Sequence, residues 1–168
     1  MATFNSPNDP THMETVAFVY HLFKDVNDAR GVPYYLHCIR VEMGLPAYAT
    51  PDERKAALLH DVIEDTDTTY YDLLNRGYSL RVADLVWALT FNDPDRTYMD
   101  QIMDIRNSDD LGLINIKLSD NKDNSDPARH TCFTLEKSER MMKKYKKARK
   151  ILMEAYDTLQ EKNHEHSL

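Results

Sequence analysis

With 168 residues the chain is long enough for one domain with a sizeable core, and its 42% hydrophobic and 29% charged residues are an ordinary globular balance. A formal net charge of −7, from 28 acidic and 21 basic residues, argues against a duplex-DNA binder, which needs a basic face. No apolar run nears the roughly 20 residues that span a bilayer, so no membrane segment is predicted.

Residues 1–12 read as a flexible arm without the basic start and apolar stretch of a signal peptide, which makes the cytoplasm the expected location. A first helix is predicted from Met13 to Asp28, with Val16, Val19, Tyr20 and Phe23 on one face. Arg30-Gly31-Val32-Pro33 stops it and opens a second, which carries Tyr34, His37 and Val41 and ends near Gly44. Pro51-Asp52-Glu53 opens a third, with proline and acids in the favoured first turn, and this helix is predicted to run unbroken to Asp65. Thr68 is a candidate cap for a short helix closed by Gly77, and Ser79 for a fifth from Leu80 to Leu89. Helices over 97–107 and 109–122 follow, then a long amphipathic one from Leu135 to Glu161. Period-two alternation is nowhere sustained, so the class expected is all-α: a single helical bundle over 13–161 with a long C-terminal helix and a flexible tail at 162–168. Cys38 and Cys132 lack paired-ligand spacing and read as reduced thiols.

The third helix carries the most chemistry. His60 and Glu64 share one stripe, and Asp61 and Asp65 share the adjoining one. Leu58, Leu59, Val62 and Ile63 around them mark a core helix. Burying that much negative charge unpaired costs several kcal/mol per group, and a divalent cation on His60 and Asp61 is the simplest remedy. A solvated helix end with a satisfied core histidine accounts for the same residues, although acids near a helix C-terminus oppose its dipole. Asp120, closing the run Ile114 to Ser119, reads alone as a helix-terminal acid, and His37 as a core histidine. Spacing does not join these segments. Should they converge, two histidines and two carboxylates make a nitrogen/oxygen set suited to Mn²⁺, Fe²⁺, Zn²⁺ or Mg²⁺.

Taken in order, the segments resemble the HD superfamily of metal-dependent phosphohydrolases, and most closely the hydrolase domain of the RelA/SpoT enzymes and their small alarmone hydrolase relatives. Pro33-Tyr34-Tyr35-Leu36-His37 is similar to the family's PYxxH segment. The stretch Ala56-Ala57-Leu58-Leu59-His60-Asp61-Val62-Ile63-Glu64-Asp65-Thr66 is similar to its ALLHDxxEDT signature. Ile116-Lys117-Leu118-Ser119-Asp120 followed by Asn124 is similar to its VKLAD…N element. The resemblance implies that His37, His60, Asp61 and Asp120 hold a divalent metal, usually Mn²⁺. It implies too that Glu64 and Asp65 orient and deprotonate the attacking water, and that Lys117 and Asn124 shape a nucleotide pocket. The activity implied is removal of the 3′-diphosphate from guanosine tetra- or pentaphosphate.

Two stretches depart from the family. Asp25-Val26-Asn27 and Asp126 stand where basic residues are usual, and acids there repel a polyphosphate. Lys24, Arg30, Lys122 and Arg129 are the candidate replacements. The alternatives are an HD-type 5′-nucleotidase or other nucleotide phosphatase, favoured by the missing bases, and a non-catalytic nucleotide- or partner-binding module. The eight basic residues from Lys137 to Lys150 read as a solvated helix face rather than a phosphate-steering one, His164 and His166 as a tail rather than a metal site, and Tyr70, Tyr71 and Tyr98 as packing residues rather than base-stacking ones. Oligomeric state is left open.

Overall fold

The computed structural model describes residues 9–91 and 93–165. It is an all-α bundle, in which the described residues form no strand and a single bridge, Asn27 to Pro33, is the nearest approach to one. The helices are α1 (His12–Phe23), α2 (Tyr35–Met43), α3 (Pro51–Leu59), α4 (Val62–Asp65), α5 (Tyr70–Asn75), α6 (Leu80–Leu89), α7 (Tyr98–Asn107), α8 (Leu111–Asn124) and α9 (Leu135–Glu165), with a 3₁₀ turn at Pro127–His130 before the last. No described helix is long and apolar enough to cross a membrane. Cys38 is buried and Cys132 exposed, and both are free thiols.

Capping chemistry sets most starts. Thr11, Thr50, Thr69 and Thr97 each accept from the backbone N–H three residues on, and an acid there returns the bond. Helix α5, the short helix predicted to follow Thr68, is therefore capped by Thr69 instead. The first helix stops at Phe23, short of the predicted Asp28. Asp28 Oδ1 accepts from the Arg30 and Val32 N–H groups, and Gly31 takes φ +79° to close that turn. The arm's residues 1–8 lie outside the described residues, but Asp9 is buried on Lys55 of α3 at 2.5 Å. At the other end α9 continues to Glu165, past the predicted Glu161; His166 and the side chain of His164 lie outside what is described.

The centre of the bundle is α3, packed against α1, α2, α6 and α8. Ala56, Ala57, Leu58 and Leu59 are completely buried in the cluster that includes Val19, Phe23, Val41, Ile114 and Leu152. The long α9 lies along α8 and α7. Helix α8 is consequently enclosed, with Ile114, Asn115, Ile116, Lys117, Ser119 and Asp120 all buried.

The predicted third helix breaks at His60–Asp61. An unbroken helix would offer the Ala57 carbonyl to the Asp61 N–H; here it accepts from the His60 ring at 2.9 Å. Asp61 takes φ −101°, ψ −2°, and the chain restarts as the single turn α4.

At the α3–α8 contact, a Cβ on Gly112 would stand 2.3 Å from Glu53 Oε1 and 2.9 Å from its Cγ. Glu53 is the returning acid of the α3 capping box. Gly112→Ala is expected to destabilise the protein by about 1–3 kcal/mol through overpacking and a disturbed cap. Urea denaturation checks it, and an unchanged midpoint would mean that Glu53 moves aside freely.

Candidate metal centre

Three elements meet under the break in α3. Helix α2 brings His37, the α3–α4 junction brings His60 and Asp61, and α8 brings Asp120. His37 Nε2 lies 3.5 Å from Asp61 Oδ2, 3.4 Å from Asp120 Oδ1 and 3.2 Å from His60 Nε2. His60 Nε2 lies 2.9 Å from Asp61 Oδ2 and 3.7 Å from Asp120 Oδ1. Both imidazoles and Asp120 are buried.

The outward nitrogen of each ring is engaged. His60 Nδ1 donates to the Ala57 carbonyl, and His37 Nδ1 donates to Asp123 Oδ2 at 2.7 Å. With those protons in place, both Nε2 lone pairs point into the centre. Two lone pairs 3.2 Å apart, facing two carboxylate oxygens, repel unless a cation lies among them. Donors around one cation at about 2.0–2.2 Å stand about 3–3.5 Å apart, which is close to the spacing found. His37, His60 and Asp61 therefore fit a divalent metal, with donor atoms all within 4.8 Å of one another, and Asp120 stands beside the two imidazoles. Electrostatics point the same way: burial alone would lower the His37 pKa, yet Asp120, Asp123 and Asp61 lift it to about 10. Asp61 is held well below the ordinary carboxylate range, because the His60 and His37 imidazoles outweigh its burial.

The surrounding side chains fix these donors. Tyr34 Oη donates to Asp61 Oδ2 at 2.6 Å. Lys117 Nζ lies 2.9 Å from Asp120 Oδ2, and Asn124 Nδ2 donates to Asp120 Oδ1. Asp123 is clamped by Arg40 Nε at 2.5 Å and by Arg129. Sequence reasoning does not single out Asp123, Arg40 or the role of Tyr34. A signal existed in two i, i+3 pairs, His37 with Arg40 on α2 and Asp120 with Asp123 on α8, which put a cation and an acid on the same faces as the ligands.

Glu64 and Asp65 sit one turn beyond Asp61. Glu64 Oε2 accepts from the Phe91 N–H at 2.8 Å. Both carboxyls are pushed up, by burial first; the neighbouring Asp61 charge adds to each. The candidate substrate bases fare differently. Lys117 and Asn124 are at the centre. Arg129 is at its edge, with Nη1 2.6 Å from His37 Nδ1, and is taken up by Asp123. Arg30 is held by Asp28 and by the Ala128 carbonyl. Lys24 is exposed beside Asp25, and Lys122 faces a surface hollow on the other side of α8. A cation outside that set stands close by: Lys144 of α9, with Nζ 4.5 Å from the centroid of the Tyr98 ring, whose other neighbour is Lys117 Nζ at 5.6 Å. Tyr70 packs edge-on against both Tyr71 and Trp87 on the α5–α6 surface.

Asp123→Ala is expected to weaken metal binding about 10–100-fold, because it removes the acceptor that holds the His37 ring and leaves Arg40 and Arg129 facing each other. Calorimetric titration of Mn²⁺ into metal-free protein reads it, and an unaltered affinity would show that ring packing alone orients His37.

No protein-family model matches the chain. In an alignment 125 positions long that covers 68% of the chain, it is 34% identical to the guanosine-3′,5′-bis(diphosphate) 3′-pyrophosphohydrolase of Aquifex aeolicus. It spans 18% of that curated relative. A solved structure, of a metazoan ortholog of SpoT described as hydrolyzing ppGpp and playing a role in starvation responses, is similar with a TM-score of 0.66. That likeness covers 96% of this chain and 98% of the other at 23% identity, and it shows a shared all-α fold.

Proposed function

We propose that this chain, which carries the helical fold and the ordered signature residues of an HD-type RelA/SpoT hydrolase domain, is a metal-dependent phosphohydrolase that removes the 3′-diphosphate from an alarmone such as ppGpp. The observation that carries the reading is the convergence of His37, His60, Asp61 and Asp120 beside the Glu64–Asp65 pair, all from one break in α3 and the two helices packed on it. The similarity to a ppGpp 3′-pyrophosphohydrolase supports the choice of substrate. The cytoplasm is the location that goes with it.

In this reading His37, His60, Asp61 and Asp120 hold a divalent cation, manganese by preference. When bound, it supplies Lewis-acid polarisation of a phosphoryl oxygen and lowers the pKa of water. Asp123, the Ala57 carbonyl and Tyr34 fix the direction of the donor atoms. Glu64 or Asp65 accepts the proton of the attacking water, and their burial keeps them stronger bases than exposed carboxylates. The water oxygen adds to phosphorus as the bond to the ribose 3′ oxygen breaks, the proton taken up by the carboxylate passes to that departing oxygen, and guanosine 5′-diphosphate and diphosphate leave. Lys117 is buried, and although burial opposes its charge, Asp120 and Tyr98 raise its pKa, so it stays cationic beside the reacting group. Lys144 offers a further cation over Tyr98 for the outer phosphates, in place of the bases missing at 25–27 and 126.

One observation favours a mononucleotide phosphatase instead. Arg30 and Arg129, two of the four bases expected to meet distal phosphates, are already paired with Asp28 and Asp123. The deciding experiment is hydrolysis of ppGpp by purified protein with added Mn²⁺, products separated by ion exchange, beside a panel of nucleoside monophosphates. Guanosine diphosphate with diphosphate is the expected result. Release of orthophosphate from monophosphates alone would replace the alarmone by the smaller substrate. Binding without turnover on any of them would leave a non-catalytic module.

A further inference from the structure

Helical periodicity puts Asn115, Leu118, Ser119 and Lys122 on the face of α8 opposite Lys117, Asp120 and Asn124, so they look away from the metal centre. Between that face, the Gly44–Tyr48 segment after α2 and the middle of α9 lies that surface hollow, of about 330 Å³, within the size range of small-molecule pockets. Its lining includes Tyr48, Asn115, Lys122, Arg149 and Tyr156, and no carboxylate. That is unusual on a chain of net charge −7.

The hydrogen bonding of this cavity is unbalanced in one direction. Tyr48 Oη and Tyr156 Oη are 3.0 Å apart, and Gln160 Nε2 donates to both, at 3.3 Å and 3.2 Å. One tyrosine proton satisfies the other oxygen, which leaves the second hydroxyl proton over. Asn115 is 7% exposed, and its buried amide nitrogen makes no hydrogen bond of ordinary geometry, although it lies against the Tyr48 hydroxyl, a weak acceptor for it. The Lys122 ammonium and the Arg149 guanidinium have no acidic partner among the described residues. The acids nearest in sequence, Asp123 and Asp126, line the adjoining hollow, and Asp123 is held there by Arg40 and Arg129. A buried amide donor without an acceptor is costly, and natural proteins seldom keep one without a reason. Here two hydroxyls, an amide and two cations, all able to donate, line the same space. The group that accepts from all of them is an oxyanion with several oxygens.

We propose that this cavity is a second, metal-independent site that binds the phosphate or diphosphate group of a small metabolite, with Asn115 and a tyrosine hydroxyl at its floor and Lys122 and Arg149 at its mouth. It does not depend on the activity proposed for the metal centre. The test is calorimetric titration of inorganic diphosphate into the full chain carrying Asp61→Ala, in EDTA, so that the metal centre contributes nothing. Saturable binding at one site is expected. It should weaken about tenfold or more in Lys122→Ala/Arg149→Ala, whose changes are at exposed positions, and in Asn115→Leu. Asn115→Leu should also leave the melting temperature of the ligand-free protein unchanged or higher, as removal of an unsatisfied donor requires and a folding defect does not. Lys146→Ala/Lys147→Ala, elsewhere on the basic helix, should bind as before. Absence of saturable binding at millimolar diphosphate would overturn the site. So would equal affinity in the Lys122/Arg149 variant, or an equal loss in the Lys146/Lys147 control, which would reduce the effect to general attraction by α9.

Discussion

Asp61→Asn is expected to lower kcat for nucleotide hydrolysis by about 10³-fold and to release the bound metal, with the helical spectrum unchanged. The size follows from what the side chain does. Asp61 Oδ2 lies 2.9 Å from His60 Nε2 and 3.5 Å from His37 Nε2. It is thus the anion at the middle of the donor set. Asparagine keeps the volume and, through its carbonyl, the 2.6 Å bond from Tyr34, so nothing in the packing needs to move. What it removes is a unit negative charge facing two imidazoles. Metal polarisation and water activation together supply several kcal/mol of barrier lowering, and each 1.36 kcal/mol is about tenfold in rate. Metal content after dialysis, circular dichroism and initial rates in excess Mn²⁺ read the three parts separately. Wild-type turnover with wild-type metal content would remove Asp61 from the centre and leave His37, His60 and Asp120 to be explained as core residues.

Much of the fold is legible locally, and the site less so. Ser79 capping Leu80–Leu89 is readable because the cap and the apolar stripe lie within a dozen residues. The break at His60–Asp61 is not. Leu58, Leu59, Val62 and Ile63 continue a helical pattern without interruption, and the cause of the break is a histidine ring reaching its own helix's carbonyl. The residues of the α3–α4 junction could be singled out because they are contiguous and chemically incompatible with an empty core. His37 and Asp120 could not be joined to them by spacing, since it is the packing of α2 and α8 on α3 that brings them within 4 Å. Arg30 and Arg129 have a second claim on their charge. Charge suggested substrate contacts, but Asp28, two residues from Arg30, and Asp123, six from Arg129, were in the sequence as competing partners.

Glu64→Gln is the second large effect, and it separates chemistry from metal binding. Glu64 makes no contact with the four donor side chains closer than its charge interaction with Asp61. Its Oε2 accepts from the Phe91 N–H, a bond that a glutamine carbonyl preserves. The substitution therefore leaves the shape of the pocket and the metal affinity as they are and takes away a proton acceptor. General base catalysis contributes about 10²–10⁴-fold, so kcat should fall within that span while KM and Mn²⁺ affinity change little. Asp65→Asn is the companion variant. Its carboxyl faces Tyr34 and Asp61 more directly than Glu64 does, so an orienting role there would change KM as well as kcat. The variant with the larger fall in kcat at constant metal content identifies the base. If both retain near-wild-type rates, neither carboxylate takes the proton, and the mechanism proposed for this centre fails even with every metal ligand in place.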